Sequence, residues 1–161
     1  MKEINRLQAS WGAWSKTDLI TTGTTVTVAS AVSGSTITAI RGDSLSAALE
    51  DIGSLVGYSK VYFTVKGDKA DADTSAIIQI EKTVGLKYIN GAAATTAANG
   101  SITINDEATG DITVALDEAE TAKLSPGGYQ YDVQVVRMAG TVSTLTEGTF
   151  NVSADVTRAV T

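Results

Sequence analysis

The chain has 161 residues, of which 43% are hydrophobic and 19% are charged. These values are typical of one folded domain with a short appendage and exclude a disordered chain. The net charge of −6 disfavours nucleic acid and anionic membrane surfaces as partners, because both are bound by clusters of lysine and arginine. The sequence has no cysteine and no histidine, which excludes disulfides, thiolate metal sites and histidine-dependent catalysis.

The first 23 residues differ in character from the rest of the chain. They contain both tryptophans, Trp11 and Trp14, in a segment without hydrophobic periodicity. Large aromatic side chains are costly to leave in water. These two either pack on the protein's own domain or anchor in a partner, since tryptophan is enriched at the energetically dominant positions of interfaces. The second alternative makes Trp11 and Trp14 the candidate partner-binding residues.

Residues 24–40 are rich in valine, isoleucine and threonine on both sides of a Ser33-Gly34-Ser35 turn. This pattern predicts a β-hairpin whose second strand runs toward Arg41. We therefore expect two parts in the chain. Residues 1–40 form an N-terminal arm and hairpin that makes assembly contacts, and residues 41–161 form a β-sandwich.

The next strands follow from two-residue alternation and turn chemistry. In residues 58–66, Val61, Phe63 and Val65 are predicted to face the interior. The acidic loop at 67–75 does not complete a calcium-binding pattern, because Ala76 stands where such a loop needs glycine, so we expect no metal there. Further strands are predicted at residues 76–81, 86–89, 101–105, 111–116 and 142–152, with one or two helical turns at 117–124.

The clearest alternation in the sequence begins after the Pro126-Gly127-Gly128 turn. One face of this strand is predicted to point toward the core, and it carries Tyr129, Tyr131, Val133 and Val135. The other face is polar and carries Gln130, Asp132 and Gln134. The strand is therefore predicted to cover the core with one face.

Three groups of segments together resemble the immunoglobulin-like β-sandwich modules of tailed-phage structural proteins. They are Ile40–Asp43; Val61–Lys66 with Asp71, Asp73 and Ile77–Ile80; and Leu124–Val133 with Val142–Arg158. The pattern is similar to the N-terminal domain of upper baseplate proteins and to small head or tail accessory proteins. It covers about residues 40–158. The resemblance implies an all-β, antiparallel immunoglobulin-like sandwich of about seven strands, here with an N-terminal arm and hairpin.

The resemblance also implies a role for the two tyrosines. In immunoglobulin-like folds, a tyrosine at the start of the sixth strand donates a hydrogen bond back to the corner before it. Tyr129 or Tyr131 fits this tyrosine corner. We expect the inward-facing ring to be largely buried with its hydroxyl bonded.

No pair of carboxylates and no nucleophile with a base is evident in the sequence, so we expect no catalytic residues, no cofactor and no enzymatic activity. The resemblance implies a phage virion structural protein, made in the host cytoplasm. It would be a capsid decoration or head-fibre accessory protein that binds the major capsid protein as a homo-oligomer. Two departures from the baseplate pattern favour this role: no fibre part follows Thr161, and an Ala/Thr excursion at 92–98 lengthens a hairpin.

Two other functions remain open. The first is a tail or baseplate adaptor, which would bind tail or baseplate proteins. The second belongs to another class, a carbohydrate- or cell-surface-binding module. It requires a concave polar site and an exposed aromatic platform drawn from Trp11, Trp14, Tyr58 or Tyr62.

Overall fold

The structure is a computed structural model that describes the backbone of residues 26–29 and all atoms of residues 36–156. These residues contain a short helix, α1 (Glu118–Thr121), and 3-10 turns at Asp73–Ser75 and Ala97–Asn99. Eleven strands make up most of the rest: β1 (Val26–Ala29), β2 (Thr36–Ile40), β3 (Leu45–Leu49), β4 (Tyr58–Lys66), β5 (Ile78–Glu81), β6 (Gly85–Ile89), β7 (Ala92–Ala93), β8 (Gly100–Asp106), β9 (Asp111–Leu116), β10 (Gly127–Arg137) and β11 (Val142–Ser153).

The strands form two sheets. The first has the order β1-β3-β9-β8, and the second has the order β2-β11-β10-β4-β5-β6-β7. In an immunoglobulin domain of the variable type, strands A, B, E and D form one sheet, and the other contains G, F and C extended by two further strands. The order of β3, β9 and β8 matches B, E and D, and the order of β11, β10 and β4 matches G, F and C. The fold is therefore an all-β, immunoglobulin-like sandwich, which confirms the predicted class.

The described strands outnumber the seven or so that the sequence predicts. The difference arises because β5 and β6 extend the second sheet beyond β4, and Asn90 and Gly91, both with positive φ, add the two-residue strand β7. The sandwich also contains two parallel pairs, β1 with β3 and β2 with β11, in otherwise antiparallel sheets.

The prediction of a hairpin at residues 24–40 is wrong, because its two strands do not pair with each other. Both strands exist, but β1 pairs with β3 in one sheet and β2 pairs with β11 in the other. The predicted turn at 33–35 lies outside the described residues. Pairing with β11 places the alternate β2 side chains Ile37 and Ala39 in the core between the sheets, where they are buried. Residues 36–40 are thus part of the sandwich.

The core lies between the two sheets and is centred on three aromatic rings. Phe63 of β4 lies 5.5 Å from Tyr131 of β10 and 6.3 Å from Phe150 of β11, measured between ring centroids. Such pairs stabilise a fold by about 0.5–1.5 kcal/mol beyond the area they bury. All but one of the predicted inward residues of β4 and β10 are buried: Val61, Phe63, Val65, Tyr131, Val133 and Val135. The exception is Tyr129, which is half-buried beside the core. No helix among the described residues is long and apolar enough to cross a membrane.

Candidate functional site

Four connections meet at one end of the sandwich, which we name the apolar end. They are the loop at 50–57, the turn at 82–84, the turn at 107–110 and the turn at 138–141. The register places them together, because Arg137 at the end of β10 is opposite Tyr58 at the start of β4. The backbone N–H of Lys82 donates to Val61 near the start of β4.

The apolar end exposes large hydrophobic side chains. Val56 is 57% exposed, Val84 53%, Met138 82% and Val142 58%. They are four of the five large hydrophobic side chains that the described part of the chain exposes, and the fifth, Val156, follows β11 at the opposite end. Single exposed hydrophobic residues are ordinary, but a concentration of them on one surface marks an interaction site.

Hydrogen bonds hold the 50–57 loop and the 138–141 turn of the apolar end in place. The guanidinium of Arg137 donates to the carbonyls of Val56 at 2.6 Å and Ser54 at 2.7 Å. The N–H of Met138 donates to the carbonyl of Gly57 at 3.2 Å, and Leu55 is fully buried in the core. The exposed valines and methionine therefore stand on an ordered frame, which lowers the entropy cost of binding a partner.

A close backbone contact joins two of these connections. Gly110 has a φ of +81°, and a β-carbon at this position would overlap the carbonyl oxygen of Gly53. The N–H of Gly53 donates to the carbonyl of Thr109 at 3.1 Å, and Leu55 donates to Glu107 at 2.7 Å. Glycine at 110 lets the β8–β9 turn pack directly on the loop that carries Val56.

A second feature, which we name the polar trough, lies on the outer face of the seven-stranded sheet. It is a concavity of about 230 Å³ that includes Val142 of the apolar end, and its other lining residues are Tyr62, Thr64, Lys66, Asp73, Gln79, Lys87, Asp132, Gln134 and Val136. The register aligns Asp132, Thr64 and Gln79 in one row across β10, β4 and β5. Gln79 is only 3% exposed although it belongs to an outer face, so the floor of the trough is polar and shielded from water.

The charges of the polar trough balance. The Lys66 ammonium lies 2.8 Å from the Asp73 carboxylate, and this hydrogen bond holds the pKa of Asp73 below its usual value. Burial raises the pKa of Asp132, and the hydrogen bond donated by Gln134 at 3.0 Å only partly opposes it. The Lys87 ammonium lies 5.2 Å from the centroid of the Tyr62 ring. Two ammonium groups face two carboxylates, which suits an uncharged polar ligand better than an ion.

The carboxylates of the acidic loop at 67–75 accept hydrogen bonds from the backbone of the same loop. Asp71 accepts a hydrogen bond from the N–H of Asp68 at 3.0 Å, and Asp68 accepts one from the N–H of Ala70 at 2.8 Å. The second contact, from the N–H of the residue two positions on, is an Asx turn, which is typical of polar loops. Within residues 36–156, no group of three or more Asp or Glu side chains is placed to hold a metal ion.

The predicted site residues have different placements. Trp11 and Trp14 lie outside the described residues, so their contacts stay a prediction. The Tyr129 hydroxyl donates to the Ser125 carbonyl four residues upstream at 2.8 Å, which is the contact of a tyrosine corner. Tyr131 is 2% exposed and packs in the core. Tyr58 and Tyr62 are each partly exposed, on β4.

The residues of the apolar end are not among the sites predicted from the sequence. A signal existed, because Val56, Met138 and Val142 are apolar side chains in or beside segments between the predicted strands, where polar residues are usual. Asp132 and Gln134 lie on the outer face of β10, as the alternation of residues 129–135 predicts. That alternation does not identify Lys66, Asp73 or Gln79 as their neighbours in the trough.

Comparisons with known proteins find similar chains among the solved structures. No protein-family model matches the chain, and no curated protein matches it. The NK cell receptor NKp44 is 13% identical, with a TM-score of 0.44 over 76% of this chain and 100% of that one. CopC from Methylosinus trichosporium OB3b is 8% identical, with a TM-score of 0.39 over 80% and 91%. Murine CRIg is 14% identical, with a TM-score of 0.38 over 78% and 97%. Values this low carry no information on function.

Proposed function

We propose that the protein is a non-enzymatic structural component of a tailed-phage virion that works by binding another virion protein. The observation that carries the binding role is the concentration of Val56, Val84, Met138 and Val142 at the apolar end. Apolar side chains on preorganised loops are typical of protein–protein contacts. The phage assignment rests on the sequence resemblance of residues 40–158.

Within the virion, we propose a capsid decoration or head-fibre accessory protein whose partner is the major capsid protein. A tail or baseplate adaptor uses the same surface on a different partner. The carboxylates of the described residues also favour a binding role over catalysis. Asp73, Glu81 and Glu120 are paired with lysines, and Asp132 accepts a hydrogen bond from Gln134.

The test of this proposal replaces apolar groups at the apolar end by polar groups of similar shape. The triple variant Val56→Thr, Met138→Gln and Val142→Thr keeps the loops but removes their apolar contacts. The matched control is Val156→Thr, which makes the same change at an exposed valine at the opposite end. Binding is measured by co-sedimentation with purified capsids and, separately, with purified tails.

We expect the triple variant to bind at least about tenfold more weakly, because central apolar contacts dominate interface energies. The control variant binds like the wild type. Binding of the wild type to capsids supports the decoration role, and binding to tails supports the adaptor role. Undiminished binding by the triple variant to both particles would overturn the proposal.

The polar trough supports a second candidate function, recognition of an uncharged saccharide. Its volume of about 230 Å³ suits one sugar ring, and its amides and carboxylates match the hydroxyl groups of a sugar. Titration with glucose, galactose and N-acetylglucosamine, followed by NMR, tests this function. We expect shifts of the Gln79 and Gln134 amide signals that are lost in Asp132→Asn. Unchanged spectra with all three sugars at tens of millimolar reject it.

A further inference from the structure

One edge of the four-stranded sheet lacks the usual protection against pairing. β8 pairs with β9 on one side, and no strand in the described part of the chain pairs with its other side. Natural edge strands are protected by charges, prolines or bulges. Residues 101–105 contain no charged residue and no proline, and the register with β9 shifts only at the end of the strand, between Ile104 and Asp106.

This edge is accessible to another strand. Gly100, the first residue of β8, packs with its inner face against Leu86 of the facing sheet, a contact that does not use the edge of the strand. A groove of about 460 Å³ separates residues 102–105 from Tyr58 and Lys82 of the other sheet. An added strand forms hydrogen bonds with the unpaired N–H and C=O groups of β8. It also covers Ile104, which is only half-buried.

We propose that β8 pairs antiparallel with the β8 of a second copy of this chain, with Thr103 on the two-fold axis. The two four-stranded sheets then join into one eight-stranded sheet. This register places Ile102 opposite Ile104 on the inner face and Ser101 opposite Asn105 on the outer face.

The charges of the strand agree with a second copy as the occupant. Asp106, the first charged residue after Gly100, falls opposite Gly100 of the other strand rather than opposite another carboxylate. The strand is therefore complementary to itself, as a two-fold symmetric interface requires. Like charges directly opposite each other would destabilise such a pair, and this register contains none.

A cysteine at position 103 tests the register directly, because the wild-type sequence has no cysteine. Opposed residues of antiparallel strands have β-carbons about 4.5–5.5 Å apart, close to the separation that a disulfide spans. Under mild oxidation, Thr103→Cys is expected to form a disulfide-linked dimer at least about ten times faster than Thr113→Cys. Thr113 is the matched control, since it is opposite Thr103 on β9, one strand in from the edge.

Analytical ultracentrifugation provides the second test. The wild type is expected to form a reversible dimer, and Thr103→Lys places two ammonium groups at the two-fold axis. This change raises the dimer Kd by at least about tenfold, whereas Thr113→Lys does not. A wild type that sediments as a monomer throughout the accessible concentration range would overturn the proposal. Equal cross-linking of the two cysteine variants would also overturn it. Neither result tests the exposed hydrophobic side chains of the apolar end, because none of Val56, Val84, Met138 and Val142 belongs to β8.

Discussion

Replacement of Gly110 by alanine tests the backbone contact that supports the apolar end. Two costs add at this position. An L-residue at a φ of +81° loses about 1–2 kcal/mol relative to glycine. The new β-carbon also overlaps the carbonyl of Gly53, and this obstacle is backbone rather than a side chain that can rotate away. Displacement of packed groups of this kind costs about 1–3 kcal/mol.

The expected loss for Gly110→Ala is therefore about 2–5 kcal/mol in the free energy of unfolding. A domain of this size is stable by only about 5–15 kcal/mol, so the variant folds at 25 °C but unfolds at a clearly lower urea concentration. Gly140→Ala is the matched control. Its φ is +82°, and beyond Gly140 and its two chain neighbours no heavy atom lies within 4 Å of the position of the new β-carbon. It should lose only the backbone cost of about 1–2 kcal/mol.

Urea unfolding followed by circular dichroism measures both losses on the same scale. The difference between the two variants isolates the contact between the β8–β9 turn and the loop at 50–57. A loss for Gly110→Ala no greater than that for Gly140→Ala would refute the reasoning, because the turn would then not rest on Gly53.

Three further substitutions test individual groups by the same measurement. Tyr129→Phe removes the hydrogen bond to Ser125 and should cost about 0.5–1.5 kcal/mol; an unchanged midpoint contradicts the role of the hydroxyl. Burial alone would raise the pKa of Glu120, but hydrogen bonds, chiefly from Lys123 at 2.6 Å, outweigh burial and lower it. The ionised carboxylate therefore stabilises the fold above the usual glutamate pKa, and this contribution disappears as the pH falls through the lowered value. Glu120→Gln should cost about 1.5–3 kcal/mol at pH 7 and less in acid, and a loss independent of pH contradicts this account. Burial raises the pKa of Asp132, so its ionised form destabilises the fold at neutral pH. Asp132→Asn should raise the stability at pH 7, with the gain vanishing below the usual aspartate pKa, and a less stable variant at pH 7 contradicts the sign.

Much of the sandwich could be predicted because its strands carry local signals. The alternation in residues 129–135 identified β10 and its buried face, and the paired apolar runs around 106–110 identified the β8–β9 hairpin. The pairing of β1 and β2 could not be predicted in the same way. Their partners, β3 and β11, lie in different sheets, and no local pattern indicates which strand each of them joins.

The candidate surfaces depend even more on tertiary structure. Val56, Val84 and Met138 are far apart in the sequence and come to the same end of the sandwich only through the strand order of the sheets. The trough likewise joins Asp132 with Lys66 and Gln79 from other strands. The sequence identifies the chemistry of these side chains, but their proximity is a product of the strand order.

Oxidation of Met138 tests the central claim most directly. Its side chain is 82% exposed in the isolated protein, and peroxide converts an exposed methionine to a sulfoxide that mass spectrometry detects in the corresponding peptide. The account predicts that Met138 oxidises much more slowly in purified virions than in the isolated protein, because a partner covers the apolar end. Equal oxidation rates in the two samples would contradict it.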